Sequence, residues 1–315
     1  MNLYIDSFSA LYFYGHTPKP LDEITQPCYK NRIDDAVGSV SGLRGFDLSD
    51  ITLGSDCLHV LVGNRAKRTS SKSVVCHVRS TRLPWGALRS LGCGRFIVSP
   101  ELCFYELAPL LPFSKLVEVG YLLCGKYCLN DGLACGDRRE PLTTKRKLES
   151  FASRMADARG KVVVHKALQF VSENSASPRE TKLAILLSFP VRLGGYGFDL
   201  PVMNYRIDFS PEEQLVFGRP YVVLDLYWPQ FHFGIEYDGA LSHAGERQSS
   251  RDRRKASELA YRGITVFNVD KDQVKSVQTI YALALKAARM MNVRVRVPTQ
   301  KQWDAKQELF NSLMR

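Results

Sequence analysis

The sequence predicts a mixed α/β fold (α+β) in two parts, and three observations support this prediction. Residues 177–292 show the patterns of a helix, several strands, a helix, a strand and a final helix, in that order, which describes a sheet with helices packed on it. Two apolar runs at 57–62 and 73–78 are typical of strands and precede helical segments. The length of 315 residues is sufficient for two domains of ordinary size. We therefore expect a C-terminal mixed sheet flanked by helices, preceded by a separate mixed α/β domain.

The N-terminal domain is expected to span residues 1–140. Residues 1–56 have weak periodicity and many turn formers, and they receive no assignment. The strands at 57–62 and 73–78 are joined by a basic loop. Ser99 followed by Pro100 predicts a helix start, because serine caps the first turn and proline is favoured at the first helical position. We expect short helices at 102–111 and 114–123.

A helical linker is expected at 141–176, with helices at 144–157 and 161–171. Ser177 and Glu180 have the spacing of a capping box at the start of the next helix. After an extended segment and a hairpin, we expect a basic helix over 246–262, a strand over 264–269 and a long helix over 273–291. These elements define a second domain at 177–292, and 293–315 is left as a basic C-terminal tail or helix.

The charge is distributed unevenly along the chain. The formal net charge is +11, yet residues 1–56 carry 4 basic and 8 acidic side chains. Residues 57–100 carry 8 basic side chains and no acid, and residues 141–315 carry 27 basic and 18 acidic side chains. Basic stretches attract polyanions through counterion release and steering. A soluble protein with a high isoelectric point is the alternative interpretation.

Composition also predicts a cytoplasmic protein with no membrane partner. No run approaches the roughly 20 apolar residues of a membrane span, and the first residues do not have the pattern of a secretory signal. All eight cysteines lie within the first 135 residues, which is not the pattern of a disulfide framework. Cys103, Cys124, Cys128 and Cys135 could form a zinc site, although buried structural thiols are the alternative.

Three acids stand in a predicted hairpin. Two apolar runs, 221–227 and 231–237, flank a Trp-Pro-Gln turn. If the hairpin closes about Gln230 and Phe231, Asp225 lies opposite Glu236, and strand alternation places Asp238 on the same face. Converging carboxylates repel one another unless they are protonated or bridged by a cation. Because oxygen ligands suit magnesium, manganese or calcium, we expect a divalent-metal site. The alternative is an edge hairpin whose acids face water.

Asp225, the Glu236-x-Asp238-Gly motif, His243 and the basic run 251–254 resemble the restriction-endonuclease-like PD-(D/E)XK superfamily, in its branch related to very-short-patch-repair endonucleases. The resemblance covers about residues 177–274 and implies a mixed sheet flanked by helices. Asp238 departs from the lysine that is usual in the wider superfamily, so a metal-bound hydroxide or His243 would have to position the attacking water. The backbone carbonyl of Tyr237 is a further implied metal ligand. The implied catalytic residues are Glu180, Asp225, Glu236, Asp238 and His243, the implied metal ligands are Asp225, Glu236 and Asp238, and the implied nucleic-acid-binding residues are Arg251, Arg253, Arg254 and Lys255.

Residues 96–107 resemble the strand-then-helix signature in the C-terminal region of abortive-infection antitoxins. Together the two resemblances imply a Mg²⁺- or Mn²⁺-dependent endonuclease that hydrolyses DNA, in phage defence or repair. The alternative is a non-catalytic, antitoxin-like DNA-binding regulator on a nuclease scaffold, since fold alone does not decide activity. Individual residues also have simpler interpretations: Glu180 as a helix cap, His243 as a surface loop residue, and the arginines as a solvated helix face.

Overall fold

The computed structural model describes residues 1–48, 51, 57–69, 71–130, 135–238 and 246–314. For 135–136, 158–159, 238 and 246–253, the description is confined to the backbone. The chain forms two compact units, Met1–Val171 and Ser172–Arg315, which we call the N-terminal unit and the C-terminal unit. Both contain helices and mixed sheets, so the predicted mixed α/β class is confirmed at this level.

The N-terminal unit contains a six-stranded mixed sheet in the order β2-β5-β6-β1-β3-β4 and a separate two-stranded sheet, β7-β8. Its strands are β1 (Leu3–Ile5), β2 (Gln26–Pro27), β3 (Leu58–Val62), β4 (Val74–Val78), β5 (Leu88–Gly92), β6 (Arg95–Val98), β7 (Tyr127–Leu129) and β8 (Cys135–Arg138). Its helices are α1 (Ser7–His16), α2 (Leu21–Ile24), α3 (Val40–Leu43), α4 (Pro100–Leu107), α5 (Phe113–Leu123), α6 (Lys145–Arg154) and α7 (Ala158–Leu168). The two strands predicted at 57–62 and 73–78 are β3 and β4, which pair in parallel.

The C-terminal unit contains a four-stranded sheet in the order β12-β11-β10-β9. Its strands are β9 (Val202–Asp208), β10 (Tyr221–Trp228), β11 (Phe233–Asp238) and β12 (Thr265–Asp270). Its helices are α8 (Pro178–Ser188), α9 (Pro211–Phe217), α10 (Glu246–Tyr261), α11 (Val277–Met290) and α12 (Gln300–Met314). Strands β9, β10 and β11 are antiparallel neighbours, whereas β11 and β12 are parallel.

Local capping explains where several helices begin. The side chain of Ser99 accepts a hydrogen bond from the Leu102 N–H at the start of α4, as the Ser-Pro pair predicts. Ser177 does the same for the Glu180 N–H at the start of α8. Each bond satisfies a backbone donor that the first helical turn leaves without a partner. Gly263, with φ of +70°, follows α10 and ends it, because glycine adopts the left-handed conformation without strain.

An apolar core holds α10 against the sheet of the C-terminal unit. It comprises Ile207, Phe209, Val222, Leu224, Tyr227, Leu259 and Ile264. Leu259 is fully buried and anchors one face of α10, so residues three and four positions before it on the helix also face the strands.

The structure divides the chain differently from the sequence expectation. Helices α6 and α7 belong to the N-terminal unit, whereas residues 141–176 were expected to form a helical linker, and the division lies at Val171 and Ser172 instead of near 140. The C-terminal segment expected as a basic tail or helix contains α12, which is part of the C-terminal unit. Residues 1–48, for which the sequence carried no assignment, supply β1, α1, α2, β2 and α3.

Within the described ranges, no helix combines the length and the apolar character that crossing a bilayer requires.

Candidate active site

The register of the β10–β11 hairpin is the one that the sequence predicts. Leu226 pairs with Ile235 and Trp228 pairs with Phe233, with a short turn at Pro229–Phe231. The same register places Asp225 opposite Glu236, one position beyond the last of these pairs. The hairpin interpretation of the Trp-Pro-Gln segment is therefore confirmed.

Side chains of Asp225 and Glu236 bind the backbone where the pairing ends. The Asp225 N–H donates to Oε1 of Glu236 at 3.3 Å, and the Tyr237 N–H donates to Oδ2 of Asp225 at 2.8 Å. Each carboxylate thus accepts a hydrogen bond from the neighbouring strand. The side chain of Glu236 is only 19% exposed, so these acids do not form a freely solvated edge.

Glu180, in the first turn of α8, approaches the same acids from a helix. Its residue is 6% exposed, and the charge of Asp225 acts on its carboxyl group. The carboxylate accepts hydrogen bonds from the Ala176 N–H at 2.9 Å and from the Ser177 hydroxyl at 2.7 Å. Asp225, Glu236 and Glu180 are called the acidic cluster below. Glu180 both stabilises the helix start and belongs to this cluster, so its interpretations as a helix cap and as a site residue are compatible.

Asn204 on β9 has a strained backbone conformation and contacts Glu180 through its side chain. Its φ is +49°, a left-handed conformation that asparagine tolerates better than most residues. Its side-chain Nδ2 donates to Oε2 of Glu180 at 2.7 Å. Backbone strain of this kind often marks a functional position.

Lys255, on the inner face of α10, supplies a positive charge to the cluster. Its Nζ donates to Oε2 of Glu236 and to the carbonyl oxygen of Val223, both at 2.5 Å. The side chain is 21% exposed. The sequence resemblance implies phosphate contact for Lys255, whereas the structure places its ammonium group against an acid on the sheet.

Electrostatics keeps two of the acids protonated to higher pH than usual. Burial, followed by the negative charge of Asp225, raises the pKa of Glu180 to about 7. The same two causes raise the pKa of Glu236 to about 7, although Lys255 acts in the opposite direction. Neighbouring acids with raised pKa values are typical of functional sites. Bringing like charges together costs free energy.

The structure describes the remaining candidate residues only in part. Asp238 ends β11, and Arg251 and Arg253 lie in α10, but their side chains lie outside the described part of the chain. His243 also lies outside the described residues. Arg254 is 62% exposed along its side chain, and it donates to Glu258 and to the Phe217 carbonyl oxygen.

Oxygen donors make the cluster suitable for a hard cation. Glu236 and Asp225 offer carboxylate oxygens, which Mg²⁺ and Mn²⁺ prefer. Burial first, and then the negative charge of Asp225, raises the pKa of Glu236, and a bound cation would oppose both effects. Among the described side chains, no group of three or more acids, histidines or cysteines is arranged to hold a metal ion. A complete ligand set would therefore need Asp238, backbone carbonyl oxygens or water.

The cysteines considered as zinc ligands do not form a metal-binding group within the described residues. Cys103, Cys124 and Cys128 are buried. Cys103 donates to the Ser7 carbonyl oxygen and Cys128 to the Asp137 carbonyl oxygen. The interpretation as buried structural thiols is the one that fits these three, and the side chain of Cys135 lies outside the described part.

The sequence predicted neither the contact of Asn204 with Glu180 nor the contact of Lys255 with Glu236. A signal for Lys255 exists, because it stands four residues before the apolar Leu259 and thus on the same helix face. No local signal identifies Asn204, whose importance depends on Glu180 being nearby. No protein-family model, curated protein or solved structure matches this chain.

Proposed function

We propose that the C-terminal unit is a Mg²⁺- or Mn²⁺-dependent endonuclease that hydrolyses phosphodiester bonds in DNA, with a restriction-endonuclease-like arrangement of its sheet and helices. One observation supports this proposal most directly. Asp225 and Glu236 contact each other across two neighbouring strands, and the charge of Asp225 contributes to the raised pKa of Glu180. DNA as the substrate, and phage defence or repair as the setting, come from the sequence resemblance.

Acids at a nucleic-acid-binding site need an explanation, because carboxylates repel phosphate. A protein that only bound DNA would be better served by neutral or basic residues at this position. The unit instead buries Glu180 and largely buries Glu236, at the cost of raising the pKa of both carboxyl groups. A divalent cation would explain the presence of these acids, since it binds carboxylate oxygens and phosphate oxygens at the same time.

Each residue then has a defined task. Asp225, Glu236 and Asp238 would hold the cation, which supplies Lewis-acid activation of the phosphate and lowers the pKa of a water molecule. Glu180 would hold a water molecule at the edge of the cluster, and Asn204 orients its carboxylate through the 2.7 Å hydrogen bond. Lys255 would keep the Glu236 carboxylate in place through their ion pair.

A non-catalytic DNA-binding scaffold is the second candidate, and the Lys255–Glu236 ion pair favours it. An ammonium group 2.5 Å from a carboxylate oxygen neutralises that acid without any metal. A scaffold that had lost activity would need only such internal compensation. The two candidates differ in whether the cluster responds to divalent cations.

Cleavage assays on supercoiled plasmid, mismatched duplex, single-stranded DNA and RNA, with and without Mg²⁺ or Mn²⁺, test the proposal. We expect metal-dependent cleavage of DNA by the wild-type chain and a loss of at least about a hundredfold in Asp225→Asn and Glu236→Gln, as for removal of a principal electrostatic group. Asp272→Asn is the matched control, because Asp272 is a 70% exposed acid of the same unit. It should cleave as the wild type does.

Two outcomes would reject the endonuclease. The first is cleavage that survives in Asp225→Asn at the wild-type rate, which would indicate a contaminating nuclease. The second is metal-independent DNA binding with no cleavage of any substrate and no thermal stabilisation by Mg²⁺ or Mn²⁺, which would support the scaffold candidate.

A further inference from the structure

A pocket of about 280 Å³ lies on the N-terminal unit. It is formed by two segments that are distant in sequence, residues 79–85 and residues 154–156 at the end of α6. The volume is near the lower end of the range for small-molecule pockets, roughly 300–1,000 Å³. A small ligand of mononucleotide dimensions is therefore the class that this cavity can accept.

Positive charge dominates the lining of the pocket. Arg79, Arg82 and Arg154 line it, and none of the other described lining residues is acidic. Arg79 pairs with Glu106 at 2.6 Å, whereas neither Arg82 nor Arg154 forms an ion pair with a described carboxylate. The first two arginines belong to the acid-free basic stretch 57–100. Guanidinium groups bind phosphate through paired N–H donors, so the charge indicates a phosphate-bearing ligand.

Two of the arginines are held in position by the protein. Nη1 of Arg154 donates to the Trp85 carbonyl oxygen at 3.1 Å, and Nη2 of Arg79 is held by the Glu106 carboxylate. The Nε of Arg79 is buried and has no hydrogen-bond partner among the described residues. Of the two arginines without a carboxylate partner, Arg154 is therefore the positioned one, and a positioned donor binds an anion with a smaller loss of side-chain entropy than a freely moving one.

Aromatic surface accompanies this charge. Trp85 lines the pocket with a side chain that is 60% exposed, and Tyr29, 80% exposed, has its ring centroid 6.4 Å from that of Trp85. Leu83 and Met155 are buried and contribute apolar lining. Large exposed aromatic rings beside arginines are a common platform for nucleic-acid bases, which stack on them.

We propose that this pocket binds a nucleoside phosphate, with the phosphate on Arg82 and Arg154 and the base against Trp85. The ligand is either a free mononucleotide or the 5′-phosphorylated end of a single strand, because both present the same chemistry. An acidic peptide would use the arginines but would gain little from the Trp85 ring. The inference is independent of the endonuclease proposal, since it concerns other residues on the other unit.

Binding to the full-length chain, measured by isothermal titration calorimetry with EDTA present, tests the proposal without any cleavage. The probes are AMP, adenosine, inorganic phosphate, an acidic peptide, and a short single-stranded oligonucleotide with and without a 5′-phosphate. We expect AMP or the 5′-phosphorylated strand to bind, with Arg82→Gln and Arg154→Gln each weakening binding about tenfold or more. Trp85→Ala should weaken these nucleotide ligands but leave binding of inorganic phosphate unchanged.

Arg65→Gln is the matched control. Arg65 is an exposed arginine of the same acid-free stretch, and it does not line the pocket. It removes the same charge and should leave the affinity unchanged. Binding of AMP identifies a free nucleotide as the source, and binding of only the 5′-phosphorylated strand identifies a strand end.

Three results would overturn the proposal. One is equal weakening by Arg65→Gln and Arg82→Gln, which would mean general attraction by charge. Another is binding of the acidic peptide as tightly as of AMP, with no effect of Trp85→Ala. The last is the absence of binding by every probe although circular dichroism shows a folded chain. Because EDTA is present and Asp225 is untouched, none of these results bears on cleavage by the C-terminal unit.

Discussion

Lys255 Nζ lies 2.5 Å from Oε2 of Glu236 and equally close to the carbonyl oxygen of Val223. One side chain of α10 thereby fastens the helix to two strands, β10 and β11. The same ammonium group is the positive charge that opposes the rise in the pKa of Glu236. Lys255 thus brings a cation to Glu236 from the helix.

Replacing Lys255 with methionine tests both roles. We expect Lys255→Met to lower the free energy of unfolding by roughly 1–3 kcal/mol, because it leaves a largely buried carboxylate without its charged partner. Urea denaturation measures this change. Cleavage should fall at least about tenfold, and Lys255→Arg should restore part of it. Lys271→Met, at an exposed lysine of the same unit, is the control. Full cleavage by Lys255→Met would show that the ammonium group only supports the fold.

Metal binding should compete with protons. Glu236 and Glu180 have pKa values raised to about 7, so both are largely protonated at pH 5.5 and largely ionised at pH 8. A divalent cation binds the ionised form. We therefore expect Mg²⁺ to raise the Tm more at pH 8 than at pH 5.5, as measured by differential scanning fluorimetry. The difference should disappear in Asp225→Asn, and an equal rise at both pH values in the wild type would contradict this prediction.

The metal-free fold should lose stability as the pH rises. Glu236 has a pKa of about 7 in the folded chain and an ordinary value of 4.5, so between these values the folded state holds more protons than the unfolded state. Its contribution to stability is present below about pH 4.5 and is lost as the pH rises through 7. Relative to Glu236→Gln, whose amide does not titrate, the unfolding free energy of the wild type should fall over this window by at most roughly 3 kcal/mol.

Urea titrations at several pH values, in EDTA, provide that measurement. Groups common to the wild type and to Glu236→Gln cancel in the difference between the two. The amide keeps a carbonyl oxygen for Lys255, which limits the loss of structure. If the difference in unfolding free energy between the two proteins stays level from pH 4.5 to 8, Glu236 ionises normally. Neither burial nor Asp225 would then disfavour its ionised form.

Two substitutions of Asn204 distinguish the effect of its backbone conformation from the effect of its side-chain amide. At φ of +49°, glycine fits without a steric penalty, whereas alanine does not. We expect Asn204→Ala to be about 1 kcal/mol less stable than Asn204→Gly. Both variants lose the amide that binds Glu180, so both should cleave more slowly than the wild type, by a similar factor.

The control for Asn204 is Asn292→Gly. Asn292 also has a positive φ, of +51°, and follows α11 in the same unit. It should keep full cleavage. Wild-type cleavage by Asn204→Gly would mean that the amide serves only to complete the hydrogen bonding of Glu180.

Local patterns were sufficient for much of the secondary structure. The capping residues Ser99 and Ser177 precede their helices as predicted, because a cap depends on the next three residues alone. The hairpin register also follows from local information, since the turn centre determines which residues face each other. The chain divides at Val171 and Ser172. This division depends on the packing of α6 and α7 against α4 and α5 and not on the composition of the connecting segment.

The chain order alone thus determined that Asp225 and Glu236 face each other, since two strands joined by a short turn have one register. Tertiary packing decided which partners these acids meet. Lys255 reaches Glu236 because Leu259 anchors α10 on the sheet, and Asn204 reaches Glu180 because β9 lies beside β10. Arg82 and Arg154, roughly 70 positions apart, line one pocket for the same reason. Contacts between distant segments depend on how apolar faces are buried together, and that burial is a property of the whole unit.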